Sequence, residues 1–345
     1  MKLFKSILSF TFPTAGILHY LIVLILWIRI QDLFITSISL VTYYTGFFIG
    51  NIYYNKSKTS LSRITGIFLT SHVITTILFL SYGYGYFSII FSLLLGISIG
   101  GLLSLPSYAV LNLSKLIIFS LFPVVGTLII YVYEVDGLLL FSGVFALILS
   151  IFLLFSLKII VAKPKIFEDE IKSFNLDGWL ICIGISLGGS IGTIFLPIIA
   201  LEIIGINIIE IGFILSISLV ITHIIGWQIS KRKIIQEGLG RLLIISLFIS
   251  ILLIGLINDV IMFILLWTFI LIDLSFLNSF IIIVNRNKKI FSEYKFSRNY
   301  FIISIFGPII AFILWNINYI TMFYFSALLL LIGWLGLRKL LKVTI

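Results

Sequence analysis

The stretch LFITSISLVTYYTGFFIGNIYY, residues 33–54, runs from Asp32 to Lys56 without one charged side chain. A bilayer core about 30 Å thick is crossed by about 20 apolar residues in an α-helix, each adding 1.5 Å. The stretch has that length and that composition, and it predicts a membrane span. Eleven more stretches of the same kind follow or precede it, so the reading extends to the whole chain. The twelve expected spans are 7–28, 33–54, 63–82, 86–108, 116–134, 137–160, 178–201, 207–229, 240–257, 260–284, 298–316 and 319–337. The chain is 61% hydrophobic and 10% charged. A water-soluble fold needs a more polar exterior than that composition supplies. The expected class is all-α: a polytopic membrane protein with twelve transmembrane helices in two pseudo-symmetric six-helix halves. The first span lacks a small-residue cleavage pattern and leads directly into the second, which argues against a cleaved signal peptide.

Charge sets the direction. With the N-terminus in the cytoplasm, all of the 23 Lys and Arg residues except Arg29 fall on the inner side. Basic residues in short loops stay cytoplasmic. Both termini are therefore expected inside, in a plasma (cytoplasmic) membrane. The net charge of +10 follows from the same asymmetry and needs anionic lipid head groups, not nucleic acid, as its partner.

The same stretch also carries a repeat. Ser37-Ile-Ser-Leu-Val41 returns as Ser216-Ile-Ser-Leu-Val220 in the eighth span. Both spans then reach a glycine and a basic inner segment, Gly50 to Lys56 and Gly226 to Arg232. The fifth and eleventh spans match as well: Ser114-Lys115 leads to Pro123, and Ser297-Arg298 leads to Pro308. The most polar segment, from Lys163 to Asp177, separates the two sets. The expected domains are a bundle over 1–162, a cytoplasmic linker over 163–177 and a second bundle over 178–345.

On these features the chain resembles the major facilitator superfamily of secondary transporters over its whole length. That family carries a loop motif, G-x-x-x-D-[RK]-x-G-[RK]-[RK], after its second span, often echoed after the eighth. Gly50 and Gly226 match its first glycine, Lys231 its basic position, and Gly240-Arg241 its closing pair. Tyr54 and Ser230 stand at the acidic position. Gly96-Ile-Ser-Ile-Gly-Gly101 resembles the glycine-rich fourth span, with Ser92 where proton-linked drug exporters carry arginine. Pro123 with Gly126 resembles a proline-glycine motif of the fifth span, and Gly307-Pro308 a related one in the eleventh. The resemblance implies two halves that rock about a cavity lined by spans 1, 4, 7 and 10. Gly96, Gly100 and Gly188 lie on small-residue faces at helical spacing, and Pro123 and Pro308 each remove a helix hydrogen bond and permit a kink; gating or packing roles are expected for these residues and, from the resemblance, for Gly50, Gly226, Lys231 and Arg241.

The acids sort by depth. Asp32, Asp136 and Asp259 each precede an even-numbered span, where a carboxylate accepts from the first free N–H groups of the helix. Asn207 and Glu210 have capping-box spacing, and Glu134 and Glu202 lie at outer span ends. Asp273 is different. It lies about 14 residues from Asp259 and 13 from Arg286, roughly 20 Å from either flank. Insertion scales charge about 2.5–3.5 kcal/mol for a carboxylate there. Three roles fit such a residue: proton uptake, pairing with a cation, or a hydrogen bond to a neighbouring helix. Asn278 adds polarity to the same span. His19, at similar depth in the first span, is a candidate proton partner; a helix-contact role fits it equally. His72 is expected to pack. The one cysteine, Cys182, lies inside a span and is expected to be an inert thiol.

No nucleophile triad, metal cluster or nucleotide loop is present in the sequence, so neither an enzyme nor a cofactor is expected, nor self-contained ATP drive. The expected function is a secondary active transporter for a small solute, possible proton coupling included, acting as a monomer. A non-transporting scaffold or sensor on the same fold is the alternative.

Overall fold

The computed structural model describes residues 2–57, 59–104, 113–156, 176–232, 237–288 and 293–342. All regular structure among them is helical. Among the described residues, eight segments are long and apolar enough to cross a membrane, and shorter apolar helices cover Thr14–Ile30, Ile208–Ile224 and Gly240–Ile254. Packing divides the chain into two compact units: Met1–Phe167 with Ile208–Ser216, and Glu168–Asn207 with Ile217–Ile345. Most of the expected linker, 163–175, lies outside the described residues.

The first unit contains α1 (Lys2–Ile30), α2 (Leu33–Lys56), α3 (Leu61–Tyr82), α4 (Phe87–Ser104), α5 (Leu113–Ser120) and α6 (Phe122–Ser156). Asp32 caps α2 as expected, its Oδ1 accepting from the Ile35 N–H at 2.9 Å. Helix α6 is broken at Glu134, whose φ of 61° lies in the left-handed region. The chain reverses there. Gly126 abuts Ile17 and Leu21 of α1, and the Ser142 hydroxyl donates to the Thr14 carbonyl at 2.8 Å. A straight helix would hold residues 126 and 142 about 24 Å apart, while Thr14 and Leu21 are only about 10 Å apart. The break falls between the two spans expected at 116–134 and 137–160.

Helices α2 and α4 lie side by side and parallel, and glycine makes the approach close. A Cβ on Gly46 or Gly50 would sit 2.1 Å from the carbonyl oxygen of Leu93 or Ile97. Conversely, a Cβ on Gly96 or Gly100 would sit 2.1 Å from the carbonyl oxygen of Tyr43 or Phe47. Two G-x-x-x-G faces thus press backbone on backbone, the small-residue packing that replaces hydrophobic drive between helices in lipid. Three hydrogen bonds line the same seam: Ser39 to Ser88 at 2.9 Å, Thr42 to the Ile89 carbonyl at 3.0 Å, and Asn51 to Ser104 at 2.9 Å.

The second unit contains α7 (Leu176–Ile181), α8 (Gly188–Thr193) and α9 (Leu196–Ile199), joined by wider π-helical turns at Cys182–Leu187 and Ala200–Ile204 into one interrupted span. Then follow α10 (Ile208–Arg232), α11 (Glu237–Ile254), α12 (Val260–Lys288), α13 (Glu293–Ser304), α14 (Gly307–Ile317) and α15 (Tyr319–Lys342); the first turns of α10 group with the first unit. Asp259 caps α12 through the Met262 N–H at 2.9 Å. Gly184 packs against the backbone of Gly333, and Gly188 and Gly192 against Ser326 and Leu329 of α15. Two of the proline-bearing spans are interrupted, α5 from α6 next to Pro123 and α13 from α14 next to Pro308, whereas α1 runs on through Pro13.

Large apolar side chains are exposed in stripes, among them Ile67, Ile74 and Ile77 on α3 and Leu140, Val144, Leu147 and Ile151 on α6. In water such stripes would drive aggregation; against lipid tails they cost nothing. Polar side chains go inward instead. His72 is fully buried and bonds Ser98 at 3.2 Å and Ser142 at 2.9 Å, which joins α3, α4 and α6.

Candidate functional site

Among the described residues, three groups of polar side chains surround the candidates His19, Asp273 and Asn278. In the first unit, α1 is buried at every residue from Thr14 to Leu26 except His19 and Tyr20, which are partly exposed. The His19 ring stacks on Phe47 of α2, centroids 4.8 Å apart and planes at 25°. Tyr20 and Tyr44 meet it edge-on, at 5.9 and 6.5 Å. Its Nδ1 lies 2.9 Å from the hydroxyl of fully buried Tyr43. That bond holds the ring plane and leaves Nε2 without a hydrogen-bond partner among the described residues. Helical spacing explains the grouping: Tyr43, Tyr44 and Phe47 fall on neighbouring positions of one turn of α2. Partly exposed hydroxyl and imidazole groups do not face hydrocarbon without loss.

In the second unit, Asp273 lies midway along α12 and is 7% exposed. It faces α11, where Ser246 is its hydrogen-bonding side chain. Its Oδ2 is buried with no hydrogen-bond partner. A buried oxygen of this kind is costly unless a proton or another ligand takes it. The third group is one turn and a half further along α12. Asn278 accepts a hydrogen bond from the Tyr300 hydroxyl of α13, and Ser186 donates to the Tyr300 carbonyl. A polar strip thus joins α12, α13 and the π-helical turn beside buried Cys182.

The structure places His19 in the first unit and Asp273 and Asn278 in the second. The sequence marks His19 as a candidate, and Tyr20, Tyr43 and Tyr44 as amphipathic groups that line a cavity or anchor at the interface, but not that they meet one another or Phe47. Tyr300 and Ser246 were missed, because nothing in the order of residues says which spans touch.

Asp136 departs from its expected cap role. Its carboxylate pairs with Arg29, and the Arg29 guanidinium also donates to the Phe79 carbonyl at 2.6 Å and the Leu80 carbonyl at 3.3 Å. The same guanidinium lies over the Tyr84 ring at 4.5 Å. The one basic residue expected outside is thus a clasp between the ends of α1 and α3 and the break in α6.

No protein-family model matches the chain, and no curated protein matches it in sequence. Solved structures do match in shape. A mutant of the nucleoside transporter NupG aligns with TM-score 0.65 at 16% identity, over 99% of this chain and 99% of that one. FucP, a major facilitator superfamily transporter solved in the outward conformation, aligns with TM-score 0.58 at 14% identity, over 97% and 98%. The chain has the major facilitator fold.

Within that fold, several residues expected to serve in gating or packing have definite contacts. Gly50, Gly96 and Gly100 form the α2–α4 seam, with Gly46 as a fourth member that the loop-motif reading passed over. Gly188 packs on α15. Gly240 holds the Phe280 ring, which a Cβ would meet at 2.4 Å, and Arg241 beside it is exposed. Pro123 and Pro308 mark helix breaks. Gly226 and Lys231 lie on α10, where side chains are outside the described residues.

Proposed function

We propose that this chain is a twelve-span secondary active transporter that moves a small solute by alternating access. The observation that supports it is similarity to solved transporters over essentially the whole chain, with a TM-score of 0.65. Counting the reversal at Glu134 as two spans and including the shorter apolar helices gives the twelve of the sequence reading. The asymmetry of Lys and Arg supports cytoplasmic termini and a plasma-membrane location. The two bundles, 1–162 and 178–345, are the parts proposed to rock, with the linker 163–177 between them. The working unit is proposed to be a monomer in contact with anionic lipid.

Asp273 is the proposed coupling residue. It is the acid nearest mid-span, and its unpartnered Oδ2 has a place for a proton. Protonation on one side and release on the other would tie flux to a proton gradient, with His19 a second candidate for the proton and Asn278 a candidate solute contact. The test is transport in proteoliposomes. Asp273→Asn should abolish accumulation driven by a pH gradient and leave exchange of solute at equal pH intact. Undiminished gradient-driven accumulation in that variant would make Asp273 a structural hydrogen-bonding residue only.

A further inference from the structure

In the second unit a groove runs between the interrupted span Leu176–Ile204 and the helices on either side of Pro308. Its volume is about 410 Å³, and Trp179, Ile183, Leu187, Ile303, Phe306 and Ile310 line it. Apart from the Trp179 indole, none of these side chains carries a polar atom. Trp179, Ile183 and Leu187 recur every four residues, so one helix face forms that wall. Ile303, Phe306 and Ile310 form the other by the same rule. The Ser186 hydroxyl donates to the Tyr300 carbonyl and the Ser190 hydroxyl to the Ser304 carbonyl, which fixes the walls relative to each other. Trp179 and Phe306 stay 42% and 55% exposed in the whole chain. A polar solute would lose its hydration here for almost no hydrogen bond. Resting on the span orientation of the transporter reading, we infer that the groove holds one acyl chain of an anionic phospholipid of the cytoplasmic leaflet, with its phosphate at Arg298.

Depth and charge name this occupant. From Trp179 to Leu187 the span rises about 12 Å, close to one leaflet's half of a hydrocarbon core about 30 Å thick. The groove starts near the first residues of α7, which begins at Leu176, the cytoplasmic end in the sorting of basic residues. Trp179 stands there, at the depth where indole rings anchor in membrane interfaces. Arg298 lies five residues before Ile303, about 7.5 Å nearer the same side. Its side chain is exposed and has no ion-pair partner among the described residues. Arg338 of α15 is exposed as well, and α15 meets α7 where Gly336 abuts the Asp177 carbonyl. Residues 286–298 carry Arg286, Lys288, Lys289, Lys295 and Arg298 against Glu293 alone. Asp177 sits in the first turn of α7, where a carboxylate suits the helix dipole. An anionic head group therefore meets an excess of positive charge at the depth where a cytoplasmic-leaflet phosphate lies. A second copy of this chain packed there by two-fold symmetry would instead bring two such basic segments together.

Trp179 itself reports the occupant. Full-length protein is reconstituted in phosphatidylcholine vesicles that contain brominated acyl chains, which quench indole fluorescence, on either phosphatidylglycerol or phosphatidylcholine. The part of the quenching that disappears in Trp179→Phe is the signal of the groove. Phosphatidylglycerol should be preferred about fivefold, the worth of one basic residue at an anionic surface. Arg298→Gln should bring the preference to parity and Arg298→Lys should keep most of it. Arg63→Gln, at an exposed basic residue of the first unit, should leave it unchanged. Leu187→Phe should lower it by filling the groove, and Ile310→Phe serves if that variant does not fold, as melting temperatures show. Inorganic phosphate at constant ionic strength should leave the preference in place; its loss would put a free anion at Arg298 and overturn the proposal. Equal quenching by the two lipids overturns it too, as does a preference that Arg298→Gln leaves unmoved. Shielding of Trp179 from both lipids, relieved as the protein is diluted in lipid, overturns it in favour of a second copy. Quenching is read without flux. Counterflow without lipid preference therefore discards the site alone, and lipid preference without counterflow discards transport alone.

Discussion

The Ser190 hydroxyl donates to the carbonyl of Ser304 at 3.1 Å, four residues before Pro308. In an unbroken helix that carbonyl accepts the N–H of residue 308, and proline has none. In lipid an unpaired carbonyl finds no water, so a freed one must be met by a neighbouring side chain. Ser190 of α8 meets it. Gly307 leaves the room, since a Cβ there would lie 2.1 Å from the Ser190 oxygen. The kink is thus built by three residues from two spans.

Ser190→Ala should therefore cost about 1–3 kcal/mol, the price of an unmet buried acceptor, read as a lower melting temperature in detergent. The cost should shrink in a Pro308→Ala background, where residue 308 regains its N–H. A double-mutant cycle reads that coupling. Strict additivity would mean that the hydroxyl and the proline act independently.

The α2–α4 seam predicts a steep size dependence. Gly46→Ala and Gly96→Ala each drive a Cβ to 2.1 Å from a facing carbonyl oxygen, which only separation of the helices relieves. Both should destabilise by at least the 1–3 kcal/mol typical of overpacking. Gly66→Ala is the control, because its nearest neighbour is the Leu153 side chain at 3.3 Å, which can give. Equal melting temperatures for all three variants would contradict the seam.

At the Arg29–Asp136 pair, Arg29→Lys should be nearly as damaging as Arg29→Ala. A single ammonium cannot reach Asp136 and the carbonyls of Phe79 and Leu80 as a planar fork does. Asp136→Asn should cost less, because that side chain is 53% exposed and water screens the pair, whereas Arg29 is 3% exposed. Melting curves of the three variants give the order directly, and a larger loss in Asp136→Asn than in Arg29→Lys would reverse the account.

The helices and their ends were legible in the sequence because they depend on near neighbours. Hydrophobic length places the spans, Asp32 and Asp259 cap α2 and α12, and Pro123 and Pro308 break their spans. Contacts between distant segments were not legible. Asp136 has the sequence position of a cap and serves Arg29 instead, which lies 107 residues away. Gly46 completes a G-x-x-x-G with Gly50, a spacing present in the sequence but overshadowed by the loop motif that begins at Gly50. For Asp273 the sequence indicated depth, since depth follows from counting residues, but not the partner Ser246, since that follows from which helix lies alongside.

Topology is open to a direct test. In a Cys182→Ser background, cysteines at Tyr86, Tyr133 and Asn318 should react with an impermeant maleimide from outside, and one at Ser57 only from the cytoplasm. Tyr86 and Tyr133 are 73% and 69% exposed, so access is not limiting. Labelling of Tyr133 and Ser57 from the same side would contradict both the reversal at Glu134 and the orientation.

The most direct measurement of the central claim is counterflow in proteoliposomes. Vesicles are loaded with one unlabelled small solute at a time, uridine, glucose, glutamate and arginine among them, and diluted into a trace of the same solute carrying a label. Alternating access predicts that label accumulates transiently inside above its equilibrium level, without any ion gradient, for at least one solute. Uptake no greater than in protein-free vesicles, for every solute tested with folded protein, would contradict transport.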